Sequence, residues 1–300
     1  AGLVTNKAFE VFPNGFPKEL ISEIEAKSGH IFIGNCHASG TEIINELGKE
    51  HLDTKALILY TSGDSVFQIA AHEDVLSIKD LYKVSEIARE VCNKFNIGRV
   101  IARPFKGSDN NFVRTYDRKD FGITPPGETI LSHLSNNGFK NFGVGKISDL
   151  FGEEYLHQTI HTEGDYDGIT TLLELIKKSD YDFYFINLVD LDMVYGHRED
   201  PKGYYEGLKV IDSGLNNILK ELNDNDLLII TGDHGTDPTD GKTDHSREFV
   251  PLVAYQNNIK NMYIGDRLSF ADIASTICNY FDIPDIFDDG NSFYEYIVNK

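Results

Sequence analysis

No stretch of this 300-residue chain stays apolar for the eighteen or so residues a membrane-crossing helix needs, so a spanning helix is excluded. Cysteine is nearly absent. Cys36, Cys92 and Cys278 are odd in number and far apart. They match neither a disulfide framework nor a zinc-type spacing, and a reducing cytoplasm is the simplest home for such a chain. Positive charge is short as well: 28 Lys and Arg stand against 48 Asp and Glu, for a formal net charge of -20. That balance argues against a nucleic-acid backbone or an anionic membrane as partner. It suits a protein that gathers divalent cations, although most of those carboxylates are solvated surface. No secretory leader is visible, but the chain opens AGLVTNKAFEVFP without an initiator Met, so this last absence excludes little.

What is present is an alternation of strand-like and helix-like runs, which predicts an α/β fold. Residues 30–34, 56–62 and 99–105 read as strands. Residues 17–29, 40–51 and 78–95 carry apolar residues at helical spacing, with Gly29 and Gly48 as candidate helix stops. Residues 106–127 are polar and close on Pro-Pro-Gly, which reads as a loop with a domain boundary near 120–127. Beyond it, residues 127–138, 168–179, 203–223 and 270–283 read as helices, and residues 140–147, 181–192, 225–235 and 250–256 as strands. Near-continuous apolar strands imply a mostly parallel sheet covered by helices on both faces, with ligands outside the carboxyl ends of the strands.

Two of these strands end in residues that bind metals. One runs into DLDMVYGH and carries Asp190, Asp192 and His197; the other ends in Asp233 and His234, with His245 a short loop later. A lone His is more often a hydrogen-bonded loop residue than a ligand. Asp237, before Pro238, reads as a turn former, and Asp240 and Asp244 as loop surface. Two strand tips that each pair Asp with His are a different matter. If the strands are parallel neighbours, all these groups gather at one edge. Mixed carboxylate and imidazole ligands without thiolate suit zinc or manganese, and magnesium less well. The ligands exceed the three that one catalytic ion takes from protein, so two ions are expected, as in phosphoryl transfer. For two ions the set is slightly short. A nucleophilic Ser or Thr is also wanted, and Thr41 and Asp53 lie in helical or turn contexts. The shortfall points to a further strand carrying an Asp and a nucleophile.

Half of the chain's arginines, Arg99, Arg103, Arg114 and Arg118, fall within twenty residues. Guanidinium forks bind phosphate, although surface pairing with the many acids explains any single Arg equally well. Asp64, just past a strand end, is placed to accept hydrogen bonds from sugar hydroxyls, or is a turn residue after Gly63; Lys146 also ends a strand.

The blocks FPNGFPKEL, ASGTEIINELG, YTSGDSVFQIAAHE, GRVIARPF, NFVRT, GKISD, NLVDLDMVYGHREDP and DHGTDPTDGKTDHSREFVPL span the chain. In them the sequence resembles the bacterial, alkaline-phosphatase-like phosphopentomutases. The resemblance implies an alkaline-phosphatase-like core, residues 123–300, an α/β cap domain, residues 8–122, and a core or hinge remnant, residues 1–7. It implies interconversion of (deoxy)ribose 1-phosphate and (deoxy)ribose 5-phosphate in nucleoside salvage, through a metal-bound phosphothreonine and a bisphosphate intermediate. Two Mn2+ ions are the implied cofactor, with Mg2+ or Zn2+ as alternatives. Asp192, His197 and His245 match one metal site, and Asp233 and His234 part of the other. Ser62, Asp64, Arg99, Ile101, Arg114 and Lys146 match positions that contact the sugar phosphate; nothing in the residues themselves singles out Ser62 or Ile101.

In that family a first core strand with a metal-binding Asp, then the phosphorylated Thr, precede the segment resembling GLVTNKAFEVFP. This chain is therefore expected to begin after both, to hold no catalytic nucleophile of its own, and to form no phosphoenzyme alone. The substrate expected is a pentose phosphate, with no nucleic-acid or membrane partner, and the expected state is a cytoplasmic monomer. Competing expectations are another member of the superfamily, a phosphoglycerate mutase or metallophosphatase, and a non-catalytic fragment that binds metal and sugar phosphate.

Overall fold

The computed structural model describes residues 1–5, 8–62, 65–108, 111–123, 125–241, 245–257, 259 and 262–298. The chain forms two compact units. The smaller comprises Thr5–Thr124 with Asp149–Phe151, and the larger comprises Ala1–Val4, Pro125–Ser148 and Gly152–Lys300.

The smaller unit runs α1 (Lys18–Ser28), β1 (Phe32–His37), α2 (Gly40–Thr54), β2 (Leu57–Thr61), β3 (Val66–His72), α3 (Ile78–Asn93), β4 (Arg99–Ser108), β5 (Asn111–Arg114) and β6 (Lys119–Gly122). Its sheet has the order β1-β2-β3-β4-β5, with β6 also on β4. Pairing is parallel for β1/β2 and β3/β4 and antiparallel elsewhere. Alternation along the strands sends Leu57, Leu59, Phe67, Ile69, Val100 and Ala102 to the α1/α3 face. Ile58, Tyr60, Ala70 and Phe105 go to the α2 face, so both faces are covered.

Gly29 ends α1 in the left-handed region, at φ 73°. Gly48 does not end α2. The helix continues to Thr54 and Lys55 closes it; Gly48 lies buried in mid-helix, where an added Cβ would meet the Phe112 ring at 2.5 Å. Residues 106–127 are not one loop, because β5 and β6 both pair with β4. Phe112 is the one buried residue of β5, so neither short edge strand shows an apolar period. Strand β3 was not foreseen. Gln68, Ala70, Ala71 and His72 dilute its β character, yet all seven of its residues are buried.

The larger unit contains α4 (Ile130–Asn136), β7 (Asn141–Val144), the start of α5 (Ile147–Phe151, whose last three residues group with the smaller unit), β8 (Gln158–Ile160), α6 (Asp165–Lys178), β9 (Phe183–Ile186), α7 (Pro201–Glu221), β10 (Leu228–Thr231), β11 (Leu252–Tyr255), α8 (Ala271–Tyr280) and α9 (Tyr294–Val298). Strands β8-β7-β9 form a parallel sheet, and β10 pairs antiparallel with β11 in a separate one. Helices α4 and α8 pack on one side, in a cluster that takes in Phe183 and Ile229. Helices α6 and α7 pack on the other, with Tyr184, Ile186 and Leu228. The α/β layering with helices on both faces holds in this unit too. The expected adjacency of the two ligand-bearing strands does not, since among the described residues β9 bonds to β7 and β10 to β11. No helix among the described residues is long and apolar enough to cross a membrane.

Candidate metal centre

Strand β9 stops at Ile186, short of the expected 192, and the acidic segment after it winds into a π-helical turn, Leu191–Tyr195, then a 3-10 turn, Gly196–Arg198. Asp192 and His197 lie on these turns. Such wide turns occur mostly where a side chain must be aimed rather than packed. The second tip leaves β10 at Thr231 and presents Asp233 and His234. His245 is returned to it by a bridge between Gly235 and Ser246, with Ser246 N donating to Gly235 O at 3.0 Å. Only glycine permits that return, since a Cβ on residue 235 would lie 2.8 Å from the backbone of Ser246 and Glu248.

Together these turns place one oxygen of Asp192 and one nitrogen each of His197 and His245 within 4.8 Å of one another. His197 Nε2 lies 3.3 Å from Asp192 Oδ2, and His245 Nε2 lies 3.4 Å from Asp192 Oδ1. Charge-assisted hydrogen bonds are shorter, about 2.7–2.9 Å. Donor atoms around one tetrahedral ion with bonds of about 2.1 Å sit roughly 3.4 Å apart. The two His–Asp distances run to different oxygens of Asp192, and this set of one carboxylate and two imidazoles suits a divalent cation. His234 stacks on His245 with ring centres 3.7 Å apart, and its Nε2 lies 3.6 Å from Asp233 Oδ2. The structure therefore clusters Asp192, His197 and His245 and stacks His234 against His245, while Asp233, next in sequence to His234, joins no donor cluster among the described residues.

Asp190 does other work. Its carboxylate accepts from Asp165 N at 2.8 Å, while Asp165 Oδ1 accepts from Val189 N and Asp190 N at 2.7 and 2.9 Å. This reciprocal clamp pins the chain just before the π turn. Burial pushes the Asp165 carboxyl above its ordinary value. Thr236 was missed as well. Its hydroxyl lies 3.4 Å from Asp192 Oδ1 and 3.3 Å from His234 Nδ1, joining the two tips. An acid at a helix start and a Thr beside a ligand motif are too common to mark such roles in sequence. Asp237 is the turn former expected, accepting from Thr239 N and Oγ1 at 2.8 and 2.7 Å. Asp244 lies outside the described residues.

Of the expected sugar-phosphate residues, Lys146 belongs to the larger unit and directs its amine at Met193 Sδ, on the π turn. The others belong to the smaller unit. Arg99 and Arg118 share Asp120, at 3.4 and 2.6 Å. Arg114 donates to Thr41 Oγ1 at 2.9 Å. Ile101 is buried on β4 opposite Gln68. Ser62 Oγ accepts from Gln68 Nε2. Asp64 lies outside the described residues.

Residues 133–285, which include all five ligands, match the Metalloenzyme superfamily. The chain is 48% identical over 297 residues to a phosphopentomutase of Thermotoga maritima, covering 98% of this chain and 76% of that one. It is 47% identical over 300 residues to a phosphopentomutase of Alkaliphilus oremlandii, covering 99% and 77%. A phosphopentomutase of Clostridium novyi is 48% identical over 299 residues, covering 99% and 76%. Among solved structures, a phosphoglycerate mutase of Leishmania mexicana studied at low cobalt concentration superposes at a TM-score of 0.45 and 20% identity. That likeness, over 57% of this chain and 40% of that one, carries no argument.

Proposed function

The chain belongs to the phosphopentomutase family, with an alkaline-phosphatase-like metalloenzyme domain, and from that premise we propose that it serves the interconversion of (deoxy)ribose 1-phosphate and (deoxy)ribose 5-phosphate. The observation that carries this reading is the convergence of Asp192, His197 and His245 within 4.8 Å, with His234 stacked against His245.

Asp192, His197 and His245 hold one divalent ion, and Asp233 and His234 contribute to a second. Manganese suits this mixture of carboxylate and imidazole better than magnesium does, with zinc as the alternative. Ions bound there would stabilise charge on the attacking and leaving oxygens of phosphoryl transfer. The chain's own residues do the rest. Asp165 pins the first tip, and Thr236 joins it to the second. In the smaller unit, assigned as a cap over residues 8–122, Arg99 and Arg114 take phosphate oxygens, Ser62 and Asp64 take sugar oxygens, and Ile101 completes the set of substrate positions. Lys146, on the core of residues 123–300, supplies a further positive charge. The reaction is assigned to pass through a phosphothreonine and a bisphosphate intermediate. The reading includes a cytoplasmic, monomeric enzyme of nucleoside salvage.

Metal analysis and a coupled assay test it. A polypeptide containing these 300 residues is expected to retain Mn2+ and to turn over ribose 1-phosphate. Failure to retain Mn2+ would refute the metal site, and a metal-loaded polypeptide inactive on pentose phosphates would refute the substrate assignment.

A further inference from the structure

Gln68 stands in a run of apolar residues. Val66, Phe67, Ile69, Ala70 and Ala71 of β3 are all buried around it, and Gln68 is itself only 4% exposed. A buried amide is costly unless both its ends are hydrogen-bonded. Both are. Its Oε1 accepts from Arg103 Nε at 3.1 Å, and its Nε2 donates to Ser62 Oγ at 3.3 Å. Strand register explains the meeting. Gln68 lies opposite Tyr60 on β2 and Ile101 on β4, Arg103 lies opposite Ala70, and Ser62 follows the last residue of β2. The two-residue period then sets Tyr60, Gln68, Ile101 and Arg103 on one face.

The order of donors in this chain is fixed. A guanidinium donates and never accepts, so the amide oxygen must face Arg103 and the amide NH2 must face Ser62. The Ser62 oxygen is thereby an acceptor toward the interior. A serine has one hydroxyl proton, and this arrangement leaves it for a partner on the other side. We propose that Arg103 and Gln68 are positioning residues that commit the Ser62 hydroxyl to donating its proton to an electron-rich oxygen of a bound sugar phosphate. This rests on the assignment of Ser62 to the substrate made above. The guanidinium charge polarises the amide and so strengthens each bond in the series. A serine held this way favours ligands that present a phosphoryl or hydroxyl oxygen and disfavours those that present a donor.

Titration calorimetry of the 300-residue chain with ribose 5-phosphate tests the relay. Ser62→Ala measures the size of the contact and is expected to weaken binding about tenfold. Gln68→Glu keeps an oxygen toward Arg103 but turns the other end into an acceptor, which draws the Ser62 proton inward. It is expected to weaken binding about as much as Ser62→Ala, and adding Ser62→Ala to it should cost less than about twofold more. A glutamate acting only by repelling phosphate would instead give losses that multiply, and that result overturns the proposal. Gln68→Met fills the same space without polarity and serves if the glutamate variant does not fold; a threefold weakening, again not multiplied by Ser62→Ala, is expected. If Ser62→Ala weakens binding and neither Gln68 variant does, the relay is wrong. If Ser62→Ala binds as tightly as the parent, or the parent does not bind, the assignment of Ser62 to the substrate has failed and the relay falls with it.

Discussion

Strands β2 and β3 of the smaller unit and β9 and β10 of the larger are buried very differently. In the smaller unit β2 and β3 are buried at every position, inside one continuous sheet with helices on both faces. In the larger unit β9 and β10 are half-buried at nearly every position, and they belong to separate sheets of three and two strands. Yet the candidate metal ligands follow these less buried strands, whereas the smaller unit offers hydrogen-bonding groups on its fully buried strands. Stability and chemistry are thus divided. The smaller unit is held by packing together with buried hydrogen bonds such as those of His51 and Gln68, and the tips of the larger unit by hydrogen bonds made by Asp165 and Thr236.

The largest break in this comparison comes from Asp192, whose two oxygens face both His197 and His245. Asp192→Ala is expected to weaken Mn2+ binding at least about a hundredfold, and Asp165→Ala, which frees the π turn, about tenfold. Electron paramagnetic resonance of free Mn2+ reads both. Neither should change the unfolding of the smaller unit, and a loss there would show that the units are not separable in this way.

Hydrogen exchange sharpens the contrast next. Amides of β2 and β3 should exchange only through global opening, and those of β9 and β10 roughly a hundredfold faster. Mn2+ at about 100 times its dissociation constant adds about 2.7 kcal/mol to whatever it binds. That increment should appear in the turns following β9 and β10 and be absent from β2 and β3. Equal protection of all four strands would remove the distinction.

What could be read in the sequence follows the same division. The strands and helices of the smaller unit were legible at β1, β2, β4, α1, α2 and α3 because each carries its own apolar period. The clustering of Asp192, His197 and His245 in the larger unit was legible because two strand tips that each pair Asp with His form an unusual pattern. Strand pairing is a nonlocal property, so the separation of β9 from β10 was not legible. Nor was the π turn, whose residues match a strand's continuation as well as a turn. The Asp165 clamp and the Gln68 relay are each made by one residue whose partners lie more than twenty positions away in sequence or across strands, and no local pattern records them. Gln68 did leave a trace, as a lone amide in an apolar run.

Gly48 tests the packing of the smaller unit directly. Gly48→Ala sets a methyl against the Phe112 ring and should cost about 1–3 kcal/mol despite the better helix propensity of alanine. Chemical denaturation followed through unit-specific amide signals would show the loss in the smaller unit only. A stabilising Gly48→Ala would mean that Phe112 moves aside freely and that this face is not tightly packed.

The smallest effect, and the one that reverses the ranking, is acid. His51 is fully buried, its Nδ1 bonded to Ala56 O at 2.6 Å and its Nε2 accepting from His72 N at 2.8 Å. Burial lowers its pKa from the ordinary value near 6.5. Below that pH the unfolded chain takes up a proton that the folded unit refuses. The stability contributed by neutral His51 is therefore complete above about pH 6.5 and is lost as pH falls toward the lowered folded value. Asp165 has the opposite sign. Its carboxyl is raised by burial, so the folded larger unit holds a proton that the unfolded chain has released, and acidification from the raised value down to about pH 3.9 relieves a strain on that unit. Lowering the pH from 7.5 to 5 should then destabilise the smaller unit relative to the larger. In His51→Gln, where no proton can be taken up, the smaller unit should lose much of that pH dependence. An unchanged slope in His51→Gln would place the acid sensitivity elsewhere and leave the packing of β2 and β3 as the whole account of the smaller unit's stability.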